Sequence, residues 1–172
     1  MNKTRQDSTI TLPDKRTLAY AQYGDPGGRP IFYFHGGNSS RLEGAWFDEA
    51  AVQTGVRLIA PDRPGFGRSS PHPRRRFLTW AGDVRLLADA LRLDQFAVFG
   101  LSGGGPHAAA AAHALPDRVT AAAIVSGVAP PEMPGRFKGM FPLLRLNFFF
   151  ARRAPWMNKI FLSQMAGSYD DP

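Results

Sequence analysis

The sequence contains no cysteine, which excludes disulfides and thiolate metal sites. It has no apolar run approaching the roughly 18 residues needed to cross a bilayer. Its opening stretch, MNKTRQDSTITLPDKR, is polar throughout and lacks the apolar centre of a signal peptide. A cytoplasmic location is the expectation from these absences. Acidic residues are scarce, with 14 Asp and Glu against 21 Lys and Arg, for a net charge of +7. A nucleic-acid partner would require those charges to gather into one patch or motif. Only Arg74-Arg75-Arg76 and Arg152-Arg153 cluster, so the charges read as solvated surface and no nucleic-acid partner is expected. Histidine is also sparse, at four residues: His35, His72, His107 and His113. Internal repeats and low-complexity linkers are absent.

What remains is a globular composition, 44% hydrophobic and 20% charged over 172 residues, long enough for one domain with a real core. Ser8 to Leu12 and Thr17 to Tyr23, joined by Pro13-Asp14, predict an N-terminal hairpin. Ile31-Phe32-Tyr33-Phe34 predicts a strand buried on both faces. It runs into His35-Gly36-Gly37. Leu42, Trp46, Ala50 and Val52 predict a helix over Leu42 to Thr54, closed by Gly55. Val56 to Ala60 is the next strand, followed by the loop Pro61 to Ser70. An amphipathic helix is predicted over Thr79 to Leu91, from Trp80, Val84, Leu87 and Leu91. Val119 to Val125 is a sixth strand. Strands alternating with helices imply an α/β fold, a mostly parallel sheet with helices on both faces.

Between the last two strands, Gln95 to Ala112 reads as strand, tight turn and helix without a gap. Gly100-Leu101-Ser102-Gly103-Gly104 fits G-x-S-x-G, in which a serine stands at a sharp strand-to-helix turn. Neighbours without side chains let strand and helix pass close beside that serine. The motif alone is weak. Here it lies between strand and helix, a His-Gly-Gly loop follows an earlier buried strand, and Asp62-Arg63-Pro64-Gly65-Phe66-Gly67-Arg68-Ser69 follows the next. From about Ser8 to Pro130 this resembles the α/β-hydrolase fold superfamily of serine hydrolases. About six of that family's eight strands are represented, in the implied order 1-2-4-3-5-6. Residues 1–129 would be core, and 130–172, rich in proline, aromatics and cations, the start of a helical cap. A basic amphipathic membrane surface is the weaker reading of that tail, since apolar stripes with interleaved cations are more often packed helices.

The resemblance implies roles position by position. Ser102 matches the nucleophile, and the backbone N–H groups of Gly37 and Gly103 match the oxyanion hole. His35 and Gly36 shape the loop, as does the Asp62 to Ser69 motif; Asp62 as catalytic acid is remote. No cofactor and no metal is called for. The family's acid and histidine follow later strands that these 172 residues do not reach, which suggests a fragment with an exposed sixth-strand edge. Neither His107, more readily packed against the sheet, nor His113, roughly 16 Å along the helix, is a credible substitute base. His72 is a remote one. Serine as nucleophile argues against dehalogenases and epoxide hydrolases, which use Asp. Esterases, lipases, cofactor-free haloperoxidases and proline iminopeptidase-like enzymes remain, acting on an ester or amide of a small apolar acyl group. The alternative is a non-catalytic remnant that binds an apolar ligand or a partner chain.

Overall fold

Successive side chains of a strand point to opposite faces, so a continuous apolar run suits a strand covered on both sides. Arg29–Phe34 (β3) is such a strand, inside a six-stranded sheet. Phe32 and Phe34 enter one core cluster, while Tyr33 enters a second, with Ile31 packed against it. Full burial of each phenylalanine stabilises by about 2–3 kcal/mol relative to exposure.

The computed structural model describes residues 6–130 and 132–153. Gln6–Thr11 (β1) and Thr17–Gly24 (β2) form an antiparallel hairpin, with Ile10 opposite Leu18. After β3 come a 3-10 turn at Arg41–Phe47, helix Asp48–Gln53 (α1) and strand Val56–Pro61 (β4). Phe77–Ala90 (α2), Phe96–Leu101 (β5), a 3-10 turn at Ser102–Gly104, Gly105–Ala114 (α3) and Val119–Val125 (β6) follow. The sheet order is β1-β2-β4-β3-β5-β6. β4, β3, β5 and β6 are mutually parallel, and β2 joins β4 antiparallel.

One face is covered by α2 and α3, whose Trp80, Val84, Leu87, Ala108 and Ala111 pack with Phe32, Phe34 and Ile59. Arg16, beside the β1–β2 turn, donates to both carboxylate oxygens of Asp83 on α2 at 2.7 and 2.8 Å. On the other face Ala51 of α1 joins Ala21, Tyr23, Tyr33, Leu58 and Ala60. There the helical cover stops short of β6. An open apolar groove of about 380 Å³ is lined by Phe47, Phe99, Ala121 and Ala123 among others. Among the described residues β6 pairs with β5 alone, and its residues after Val119 are exposed.

Two expectations shift. The predicted helix over Leu42 to Thr54 is instead a 3-10 turn followed by the short α1. Leu42, Trp46 and Val52, its presumed inner face, are 44%, 73% and 49% exposed. The inward residues are Arg41, Glu43, Gly44, Asp48 and Ala51. Polar contacts fix this orientation: Asp48 accepts the Gly24 N–H at 2.8 Å, and Glu43 accepts the Gly36 N–H at 2.7 Å. A Cβ at Gly44 would lie 2.6 Å from the Tyr23 ring. Helix α2 starts two residues earlier than its apolar period suggests, because the Thr79 hydroxyl accepts the Arg76 N–H and donates to the Arg76 carbonyl, both at 2.8 Å.

The chain divides into two compact units, Met1–Ala129 and Pro130–Pro172. The second contains Pro142–Arg153 (α4). Within it the Arg136 guanidinium lies 4.5 Å over the Phe137 ring, and Phe137 meets Phe148 at 6.3 Å between centroids. Trp156 and Phe161, two of the aromatics of the 130–172 tail, lie outside the described residues. No helix among the described residues is long and apolar enough to cross a membrane.

Candidate active site

Parallel strands release their following loops at one edge of a sheet. β3, β4 and β5 therefore deliver His35-Gly36-Gly37, Asp62-Arg63 and Ser102-Gly103 to the same carboxyl edge. β3 lies between β4 and β5, so the strand order reverses at β3, where α/β sheets open a crevice. Phe34 pairs with Gly100, which brings the glycine loop level with the serine turn.

Ser102 has φ +49°, the left-handed region that side chains rarely adopt. That conformation turns the chain from strand to helix in one residue and costs about 1–3 kcal/mol, which the surrounding contacts must offset. Those contacts are backbone to backbone. A Cβ at Gly100 would stand 2.6 Å from the Gly104 carbonyl carbon and 2.9 Å from Gly105 Cα, and one at Gly104 would overlap the Phe34 carbonyl. The Ser102 carbonyl accepts the Val128 N–H at 3.3 Å. The serine is half-buried, and helix α3 begins three residues on.

The structure brings Gly37 and Gly103 together: a Cβ built on Gly103 would lie 3.0 Å from Gly37 N. Gly37 is exposed, whereas His35 and Gly36 are buried. His35 Nε2 accepts the Arg63 N–H at 3.2 Å, so the ring proton is assigned to Nδ1, which donates to the Gly36 carbonyl at 2.9 Å. Burial first, and the nearby Arg63 charge second, push His35 down to about 3, so the ring is neutral at pH 7. Glu43 Oε2 accepts both the Gly36 N–H at 2.7 Å and the Tyr33 hydroxyl at 2.6 Å. Burial, then the Glu43 carboxylate, raise the Tyr33 phenol above its usual range, keeping it a donor.

The Asp62 side chain, fully buried, accepts Arg41 N–H at 2.6 Å, Arg41 Nη1 at 3.0 Å and Arg68 N–H at 2.8 Å. These contacts tie the loop after β4 to the segment after β3. A Cβ at Gly67, at φ +50°, would overlap that carboxylate. The Ser69 hydroxyl donates to the Asp62 carbonyl at 2.8 Å and accepts the Ala19 N–H at 2.9 Å.

No histidine ring among the described residues is hydrogen-bonded to the Ser102 hydroxyl. His107 Nδ1 donates to the Gly103 carbonyl at 3.0 Å. Its ring meets Phe77 at 4.9 Å and Trp80 at 6.0 Å between centroids, so it packs on helix α2 rather than on the sheet as expected. The reason is that α3 faces α2 on the side where His107 emerges. Burial, then Arg63, lower its pKa to about 4, which makes it a weak base. His72 accepts the Arg74 N–H at 3.2 Å within its own turn. His113 is exposed in the last turn of α3. Among the described residues no group of three or more His, Cys, Asp or Glu could hold a metal ion.

Glu43 carries no sequence signal; it is brought to Gly36 by the 3-10 turn. Arg63 stands inside the recognisable loop motif, but its burial to 7% exposure does not follow from the motif.

The sheet order, with a strained serine between glycines at its carboxyl edge, defines an α/β protein with a serine at a sharp strand-to-helix turn. Residues 29–169 match the sequence profile of the alpha/beta hydrolase fold, and the chain belongs to that family. It is 37% identical over 129 residues to a non-heme chloroperoxidase of Streptomyces lividans, covering 73% of this chain and 46% of that protein. It is 31% identical over 119 residues to a probable proline iminopeptidase of Leptolyngbya boryana, covering 66% and 36%. The fold is similar to the thioesterase domain from the curacin biosynthetic pathway at TM-score 0.67 and 20% identity, covering 77% of this chain and 50% of that one. The chain thus spans less than half the length of these two curated relatives.

Proposed function

We propose that Ser102 is the nucleophile of a serine hydrolase that cleaves an ester or amide of a small apolar acyl group through an acyl-enzyme. The observation that carries this reading is Ser102 at φ +49°, with Gly103 set against Gly37 N. In that mechanism Ser102 Oγ attacks the acyl carbonyl and the C=O electron pair moves onto oxygen. The Gly37 and Gly103 N–H groups receive the oxyanion, aided by the positive end of α3. Collapse expels the alcohol or amine, and water then releases the acid. Loss of one such donor costs about 3–4 kcal/mol of transition-state stabilisation.

The proton leaving Ser102 needs a base within hydrogen-bond reach. His35 and His107 are held neutral with pKa values of about 3 and 4, and both rings serve loop carbonyls. These 172 residues therefore supply the nucleophile and oxyanion half of the site, and their own turnover is weak. Residues 130–172 belong to this reading as the start of a helical cap, supported by their change to proline, aromatics and arginine. The name of one relative, proline iminopeptidase, supports this reading, since that activity is an acyl transfer.

The test is reaction with a fluorophosphonate probe. The chain is expected to label slowly at Ser102, Ser102→Ala not at all, and a form extended to include an acid and a histidine rapidly. Equal labelling of Ser102→Ala, or none in any form, would sink the reading. The open apolar groove beside β5 and β6 favours a second reading, non-catalytic binding of an apolar ligand or partner, and absence of labelling in every form would favour it.

A further inference from the structure

Arg63 is 7% exposed, and among the described residues no carboxylate lies within ion-pair distance of it. Its Nε is buried without a hydrogen-bond partner. Burying a guanidinium in this way is unfavourable, since no carboxylate pairs with it directly and the nearby Glu43 charge offsets the desolvation only in part. Burial accordingly lowers its pKa to about 10. A purely structural clamp could use a neutral donor here at less cost.

The contacts it does make lie on the glycine loop and on the serine turn. Nη2 donates to the Gly36 carbonyl at 2.6 Å, and Nη1 reaches the Gly103 carbonyl at 3.5 Å. The guanidinium also lies 4.5 Å over the Phe66 ring, which fixes its plane. The Gly36 carbonyl belongs to the same peptide unit as the Gly37 N–H. Among the described residues no peptide bond is cis, and in a trans peptide the C=O and N–H point in opposite directions. With the carbonyl turned to Arg63 and to His35 Nδ1, the Gly37 N–H must point the other way. Gly37 N indeed lies on the side facing Gly103. A cation on the oxygen end of an amide also withdraws electron density from its nitrogen, which makes the N–H a stronger donor.

We infer that Arg63 is a positioning residue that orients and polarises the Gly36–Gly37 peptide, so that the Gly37 N–H is aimed and strengthened for an oxyanion formed at Ser102. This rests on the proposed Ser102 chemistry for its catalytic consequence, but its structural half can be read separately. Neutral Arg63→Met and cationic Arg63→Lys are compared with the wild-type 172-residue chain, each checked for folding by circular dichroism. In fluorophosphonate labelling, Arg63→Met is expected to lower the limiting rate by about 100-fold with little change in the half-saturating probe concentration. Arg63→Lys is expected to regain at least about a tenth of the wild-type rate, because it keeps the charge and loses the planar fork.

In parallel, the Gly37 amide proton resonance is followed by 15N-edited NMR. It should move upfield in Arg63→Met and move less in Arg63→Lys. A wild-type labelling rate in Arg63→Met, or an unmoved Gly37 resonance, overturns the inference. If the wild-type chain is not labelled, the Gly37 resonance alone decides for or against Arg63, while labelling of the extended form decides the Ser102 reading. If Arg63→Met does not fold, the lysine variant carries both measurements: a limiting rate and a Gly37 resonance both unchanged from wild type overturn the proposal.

Discussion

Acid sensitivity centred on His35 follows directly from how the loop is built. His35 has no exposed surface and uses both ring nitrogens in the neutral form, Nε2 accepting from Arg63 N–H and Nδ1 donating to Gly36. Protonation would set an Nε2–H against the Arg63 N–H and add charge beside the Arg63 guanidinium, whose Nη2 is 3.3 Å from the ring. The folded pKa of about 3 lies below the ordinary histidine value of 6.5. Between those values the unfolded chain binds a proton that the folded chain refuses, so stability falls as pH falls through that window and is fully present above it. At 1.36 kcal/mol per unit, His35 alone removes about 2.7 kcal/mol between pH 7.5 and 4.5. With a urea m-value of about 2 kcal/mol/M, that corresponds to about 1.4 M of midpoint. His35→Gln keeps a donor and an acceptor but does not titrate. The assay is urea unfolding of both proteins at pH 7.5 and 4.5. The drop in midpoint should be about 1.4 M smaller in His35→Gln, other groups cancelling in the difference. Equal drops in the two proteins would refute the neutral, doubly engaged His35.

Asp62→Ala leaves the 7%-exposed Arg41 side chain without its innermost partner and should destabilise by about 3–5 kcal/mol in chemical unfolding. Asp83→Ala removes the two-pronged contact that ties Arg16 to α2, with Asp83 itself 3% exposed, and should lower stability by about 3 kcal/mol. Gly104→Ala drives a methyl group into the Phe34 carbonyl. It should cost about 3 kcal/mol, at the upper end of overpacking, and lower any Ser102 labelling as well. A Gly104→Ala melting temperature equal to wild type would contradict the close strand–helix approach.

Local chemistry sufficed for the sheet and for the turn at its centre. The apolar run Ile31 to Phe34 can only be satisfied between two covered faces, and the glycines around Ser102 fit the approach of α3 to the end of β3, where any Cβ at Gly104 meets backbone. The strand order was implied by the resemblance to the α/β-hydrolase family and not by local chemistry, and the level pairing of Phe34 with Gly100 came from the tertiary structure. The segment from Leu42 was misread because periodicity reports only apolar packing. Its orientation is decided by Glu43 and Asp48 accepting the Gly36 and Gly24 N–H groups and by Arg41 pairing with the Asp62 carboxylate.

The side of α3 on which His107 meets a neighbour was likewise decided by α2 arriving there. The burial of Arg63 against Gly36 depends on the β3 and β4 loops meeting at one edge, 27 residues apart in the chain. By itself the sequence determined which backbone positions must be bare and which runs must be buried, because sterics and solvation act on each residue locally. Only the tertiary structure decided which charges and rings face one another around Ser102, because those contacts join residues that no periodicity relates.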